Sequence, residues 1–163
     1  MAFINKEQKY KWNFESIGGT TRVKITSGED IAHLDELDPK MWTVLSCPVK
    51  GLEIDEKSLS YMDCDGDGKI RINDVVCTAK WITGILKDSD LIIKGGDNVS
   101  LSELDQENEA GVKLYAAARQ ILDNLGKEGD VISLADTADI AAIFSQTRFN
   151  GDEIITEASA EDA

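Results

Sequence analysis

The chain has 163 residues, 42% hydrophobic and 29% charged, a composition that suits an ordinary globular protein with enough apolar mass for one domain or two small lobes. Its 31 acids against 17 bases leave a net charge of −14, which argues against nucleic acid and anionic membranes as partners, because both demand basic patches. No apolar run approaches the roughly 20 residues needed to span a bilayer.

The N-terminal stretch MAFINKEQKYKWNFES is polar and carries no apolar signal core. The expectation is an intracellular protein, cytoplasmic by default, or a chain that starts after a removed leader. Next, Trp12-Asn13-Phe14-Glu15 and Arg22-Val23-Lys24-Ile25 alternate apolar and polar residues around Gly18-Gly19, so residues 1–28 are expected as a β-hairpin segment. Residues 29–163 are expected as one helical domain. Two short helices are predicted over 29–38 and 40–47, parted by Pro39, which tends to open a new helix. His33, the only histidine, falls in the first of them as a packed or surface residue. A helix over 56–62 with Leu59 and Met62 turned inward leads into the most informative stretch of the chain.

Residues Asp63 to Asp74 read DCDGDGKIRIND, with carboxylates at positions 1, 3, 5 and 12 of the window, Gly68 at position 6 and Ile70 at position 8. Side chains at alternate positions of a tight loop can all point inward, and a hard cation such as Ca²⁺ collects six to eight oxygens at about 2.3–2.6 Å. A surface turn rich in Asp and Gly needs only two or three of these residues. The window resembles the calcium loop of the EF-hand family. That resemblance implies Asp63, Asp65, Asp67 and Asp74 as carboxylate ligands, the Lys69 backbone carbonyl as a further one, and a water near Arg71, whose guanidinium has only donors. It implies Ile70 as the short strand that anchors the loop to the core. Asp74 departs from the commoner Glu: it is one methylene shorter, as in dockerin-like loops, and reaches the ion through one oxygen unless the following helix moves inward. Weaker Ca²⁺ affinity and better tolerance of Mg²⁺ are the expected results. Four carboxylates and two bases leave the loop at −2, which one divalent ion would cancel.

Beyond the loop, 73–87 is predicted as a helix, with Val76, Ala79, Ile82 or Trp81, and Leu86 on one face. Trp42 and Trp81 both fit core positions. A long helix over 101–125 shows Leu114, Ala117, Ala118, Ile121, Leu122 and Leu125 on one side and stops at Gly126. A last one over 134–145 turns Ala138, Ala141, Ala142 and Ile143 inward. A small pattern recurs along the chain: a β-branched residue, a polar one, and an acid or hydroxyl three places later. It occurs at Ile25-Thr26…Glu29, Ile54-Asp55…Ser58, Val99-Ser100…Glu103, Ile132-Ser133…Asp136 and Ile155-Thr156…Ser159, several times after Gly-Asp. Each copy reads as a short strand followed by a capped helix start. The fold class expected is therefore mainly α: an EF-hand-like helix-loop-helix array with short β segments and one complete loop. A second, degenerate loop would put Arg148 at position 1, with Asn150 and Asp152 as its ligands. The tail EIITEASAEDA opens a helix without an apolar stripe, as a disordered tail would, or as a segment of a longer protein would; the latter is preferred.

Cys47, Cys64 and Cys77 are odd in number and lack CxxC spacing, so neither a disulfide framework nor a zinc site is expected. No phosphate loop, dinucleotide fingerprint, HExxH or GxSxG is present. The expected function is calcium binding at a structural site in a non-catalytic module. The alternative is a dockerin-like protein-interaction module braced by calcium, whose protein partner the sequence does not identify.

Overall fold

Strands Phe14–Ile17 (β1) and Thr20–Val23 (β2) pair antiparallel in a computed structural model that describes residues 10–42, 46–138 and 143. Gly18 and Gly19 join them with φ of 59° and 80°, the pair of positive angles a two-residue hairpin turn demands. The chain divides into two compact units. The first runs to Gly84 and takes in Asp88–Lys94; the second comprises Ile85–Lys87 and the chain from Gly95.

In the first unit, Ser27 caps helix Gly28–Ala32 (α1) in a reciprocal capping box with Asp30. The capping acid is thus Asp30 and the hydroxyl Ser27, one place later than the predicted Thr26 and Glu29. Asp30 is 2% exposed, and its carboxylate gathers the Tyr10 hydroxyl (2.8 Å), the Thr26 amide (2.8 Å) and the Ser27 amide (3.0 Å). Burial alone would raise its pKa. The amide of Thr26 and the hydroxyl of Tyr10 more than offset that and hold it below the ordinary carboxylate value. A short helix, Asp90–Lys94 (α4 in chain order), lies against α1, and the Gly28 amide donates to Asp90 Oδ1 at 2.6 Å. A Cβ on Gly28 would meet the Ser89 carbonyl carbon at 2.1 Å, so no larger residue fits.

His33 stacks on Tyr10, with centroids 4.3 Å apart, and lies between Glu36 (2.9 Å) and Glu29 (3.1 Å). The hydrogen bond to Glu36 is the main reason its pKa is raised above 6.5; desolvation works against it, and Glu29 adds to the rise. A histidine whose pKa rises on folding stabilises fully below 6.5, and that contribution fades as pH climbs through the raised value. We therefore expect the melting temperature of this unit to fall by about 2–5 °C between pH 6 and pH 9. His33→Gln should flatten that profile in a calorimetric scan; an unchanged slope would contradict the assignment.

Among the described residues of the predicted 40–47 helix, none is α-helical. Asp38 caps a single 3₁₀ turn at Pro39–Met41, and Ser46–Pro48 (β3) is a strand. Pro48 disfavours helix in the residue before it, which explains why no helix continues through Cys47. Strand β3 pairs antiparallel with Lys69–Arg71 (β4), with Cys47 opposite Ile70. Between them, Asp55 caps helix Glu56–Met62 (α2), the range predicted from sequence. Val49, Leu59 and Ile70 form the local core, with Cys47, Met62 and Val75 packed against it. Strand β4 runs directly into helix Ile72–Ile85 (α3). There Ala79 and Ile85 are buried and Ile82 is half-buried, whereas Trp81 is 54% exposed and Trp42 half-buried. Residue 81 stands two places after Ala79, so it is carried to the opposite side of the helix.

In the second unit, Asn98–Ser100 (β5) pairs antiparallel with Val131–Ser133 (β6). The predicted 101–125 helix is instead a 3₁₀ turn at Leu101–Glu103 followed by helix Glu109–Asn124 (α5), capped by Asn108. Leu101, Ala118 and Leu122 form the core with Tyr115 and Ile132, while Leu114 and Ala117 are exposed. The buried row starts at Gly111, where a Cβ would meet the Asp105 carbonyl oxygen at 1.9 Å. That close approach rotates the inward face away from Leu114. Helix Leu134–Ala138 (α6) begins with Ser133 and Asp136 exchanging hydrogen bonds. Lys127, hydrogen-bonded to Asp136, lowers the pKa of that carboxyl to about 2. Ala138 is exposed and Ile143 buried. The expectations for Ala141, Ala142, the Arg148–Asn150–Asp152 loop, the Ile155 repeat and the tail fall outside the described residues.

The mainly α class, with its helix-loop-helix array, is therefore corrected. The described residues are 49% helix and 17% strand and form three two-stranded antiparallel sheets and six α-helices, which makes the fold mixed α/β. The three-residue β-branched segments pair with partners 20 or more residues away and build sheets of their own. Among the described residues no helix is long and apolar enough to cross a membrane.

Candidate metal centre

Asp63 closes α2 as its C-cap, and the chain then winds around the Asp63 carboxylate. Oδ1 accepts from the amides of Gly66 (3.0 Å) and Asp67 (3.2 Å), and Oδ2 from that of Gly68 (2.8 Å). Asp65 Oδ1 accepts from the Asp67 amide at 3.2 Å, and Asp67 Oδ1 from the Lys69 amide at 3.0 Å. Short acids that reach amides two to five residues ahead are the local device by which Asp stabilises turns. Gly66 and Gly68, at φ 71° and 80°, allow a turn this tight.

One carboxylate oxygen from each of Asp63, Asp65 and Asp67 lies within 4.8 Å of the other two. Two oxygens held by one ion at about 2.4 Å cannot be more than about 4.8 Å apart, and these three meet that spacing requirement. Three like charges this close repel by about 1 kcal/mol per pair even in water-like surroundings. Within the loop, Arg71 offsets part of that repulsion: its Nη1 lies 2.5 Å from Asp67 Oδ2 and holds the Asp67 pKa below the ordinary value.

Asp74 is placed differently. It is 3% exposed in the first turn of α3, and its two oxygens accept from the amides of Cys64 (3.2 Å) and Arg71 (2.8 Å). It thereby clasps the two ends of the loop together and is not among the three clustered acids. Each carboxylate oxygen keeps a further lone pair beyond these bonds. Lys69 faces Pro48 across the β3–β4 pair, and the Val49 amide bonds to the Gly68 carbonyl at 3.1 Å. By the alternation of an antiparallel ladder, Lys69 and Pro48 form a non-hydrogen-bonded pair. The main-chain groups of Lys69 therefore point away from β3, and its amide does bond within the loop. Its carbonyl shares that edge. Pro48, which has no N–H, costs the ladder nothing at this register.

The loop is held from two sides. Ile70 is buried against Leu59 and Val49, so α2, β3 and β4 fix its height, and the Asp74 clasp fixes its mouth. Sequence reasoning found the acids and the Ile70 anchor. It missed β3 and the clasping role of Asp74, although Pro48 signalled that the preceding helix could not run to Cys47. Comparison of the chain with protein-family models, with curated proteins and with solved structures finds no match.

Exchange of Arg71 for Gln should strengthen cation binding. The change removes a positive charge and frees Asp67 Oδ2, and a gain of about three- to tenfold in affinity for Ca²⁺ is expected at low salt, shrinking at 1 M salt. A weaker-binding variant in a calcium-electrode titration would contradict this.

Proposed function

We propose that this chain binds one Ca²⁺ ion at an EF-hand-type loop, residues 63–74, and that the ion is structural in a non-catalytic module. Asp63, Asp65 and Asp67 supply side-chain oxygens, Lys69 its backbone carbonyl, and Asp74 one oxygen from the far end, with water completing the shell near Arg71. The observation that carries the reading is the cluster of three carboxylates within 4.8 Å, wound in place by their own loop amides. Mg²⁺ competes at the same position, because a mouth closed by Asp74 favours a smaller shell. A structural rather than a signalling role is supported by Met62, which packs half-buried in the Val49–Leu59–Ile70 cluster and is not part of an exposed methionine groove.

Binding at a Kd of about 10⁻⁴ M stabilises the protein by about 2.7 kcal/mol in 10 mM calcium. The melting temperature should then rise by roughly 10 °C over that in chelator. Equal melting curves with calcium and with chelator would count against the reading.

A second reading, a protein-interaction module braced by the ion, is favoured by one observation. Tyr61, just before the loop, is 73% exposed and Trp81, on the helix after it, is 54% exposed. Exposed aromatics of this size are enriched at partner contacts. Substituting both by Ser should leave calcium binding intact if the ion serves such a surface.

A further inference from the structure

Position 2 of the loop carries Cys64, a residue with no part in holding a cation. Its Sγ lies 3.9 Å from the Asp74 main-chain oxygen, above the first turn of α3. One helical turn beyond Asp74, on the same side of α3, stands Cys77, since residues three apart on a helix are neighbours. Both thiols are exposed, so a dissolved reagent reaches them. Cys47, the third cysteine, is packed half-buried in the β3–β4 core.

The structure assigns Cys64 and Cys77 as a dithiol pair that closes to a disulfide and thereby tightens the metal loop, an inference whose regulatory half rests on the calcium reading above. Closure needs an oxidant, and a low-molecular-weight disulfide suffices. One cysteine, as its thiolate, attacks the reagent disulfide and releases one thiol. The second cysteine then attacks the mixed disulfide, forms the Cys64–Cys77 bond and releases the second thiol. The two protein sulfurs are oxidised, the two reagent sulfurs reduced, and the two thiol protons leave on the released thiols.

The consequence for the loop follows from where the bond falls. Cys64 sits between Asp63 and Asp65, and its amide is already held by Asp74. Cys77 sits three residues after Asp74 on α3. A covalent link between them fixes the first two acids of the loop relative to the clasp at its far end, so fewer loop conformations are lost when a cation binds. The expected effect is a Kd for Ca²⁺ lower by about five- to tenfold in the oxidised form, reversed by reductant.

The test incubates the reduced full chain with about 1 mM oxidised glutathione, blocks remaining thiols, and maps peptides without reduction; calorimetry with calcium chloride then compares oxidised and reduced protein. A linked Cys64–Cys77 peptide with Cys47 still alkylated, and a lower Kd that Cys77→Ser cannot acquire, are the expected results. Separate glutathione adducts on Cys64 and Cys77, or a bond to Cys47, would overturn the pairing even if calcium binds. The linked peptide with an unchanged Kd would overturn the tightening alone. A linked peptide in a protein that binds no calcium in either form would overturn the regulatory half together with the reading it rests on.

Discussion

Asp63→Ala should abolish measurable calcium binding, with a loss in affinity of at least about 100-fold, and with it the calcium-dependent rise in melting temperature. Asp63 is the residue on which the loop is wound. It supplies one of the three clustered oxygens and accepts the amides of Gly66, Asp67 and Gly68. The substitution therefore removes a proposed ligand and also the internal scaffold that aims Asp65 and Asp67. In chelator the same change should cost only about 1 kcal/mol, because the three amides are exposed and water replaces the carboxylate. Asp63→Asn separates the two effects. It keeps an acceptor for the amides while losing the charge, so its stability in chelator should approach that of the parent while its calcium affinity stays low. A variant that melts at the parent temperature in 10 mM calcium would contradict the role given to Asp63.

Asp30→Ala should be the most damaging single change to the first unit, at about 2–4 kcal/mol in a urea titration followed by tryptophan fluorescence. The carboxylate is nearly inaccessible and serves three different parts of the chain at once: the Tyr10 hydroxyl, the amides and hydroxyl of Thr26 and Ser27 around the start of α1, and the capping box itself. Removing it leaves buried donors without acceptors and releases the aromatic contact of Tyr10 with His33 and with Trp12, whose ring lies 4.9 Å away. Asp30→Asn should cost less, since an amide oxygen still accepts from two of these groups. The cost of Asp30→Ala should also shrink at low pH. The pKa of Asp30 is depressed on folding, so its contribution is complete above the ordinary carboxylate value and is lost as pH falls through the lower, folded one. A loss under about 1 kcal/mol at pH 7 would show that Asp30 is not the hub of this unit.

What the sequence disclosed about this molecule divides by distance along the chain. The hairpin around Gly18-Gly19, the 56–62 helix with Leu59 inward, the Asp-Gly loop and the Ile70 anchor are all set by residues within a dozen positions of one another, and they were legible. The pairing of Ser46–Pro48 with Lys69–Arg71, and of Asn98–Ser100 with Val131–Ser133, was not. A strand of three residues carries too little alternation to be recognised, and its partner lies far off in sequence. That is why a mixed α/β protein read as mainly helical. The exposed side of α3 at Trp81 and the inward shift of α5 towards Gly111 were hidden for a related reason. A helical stripe tells which residues align, but which stripe is buried depends on what packs against it, here the carbonyl of Asp105. The candidate site shows the same division. The acids and their spacing were visible in the window itself, whereas the use of both Asp74 oxygens as a clasp on Cys64 and Arg71 depends on how α3 leaves the loop.

Calorimetric titration of the full chain with calcium, repeated with magnesium in competition, tests the metal centre most directly. One ion per chain, bound with a Kd of about 10⁻⁵–10⁻³ M and displaced by millimolar magnesium, is the result the arrangement of Asp63, Asp65 and Asp67 predicts. A flat titration with 10 mM calcium at low salt would mean that these acids are only a self-wound turn.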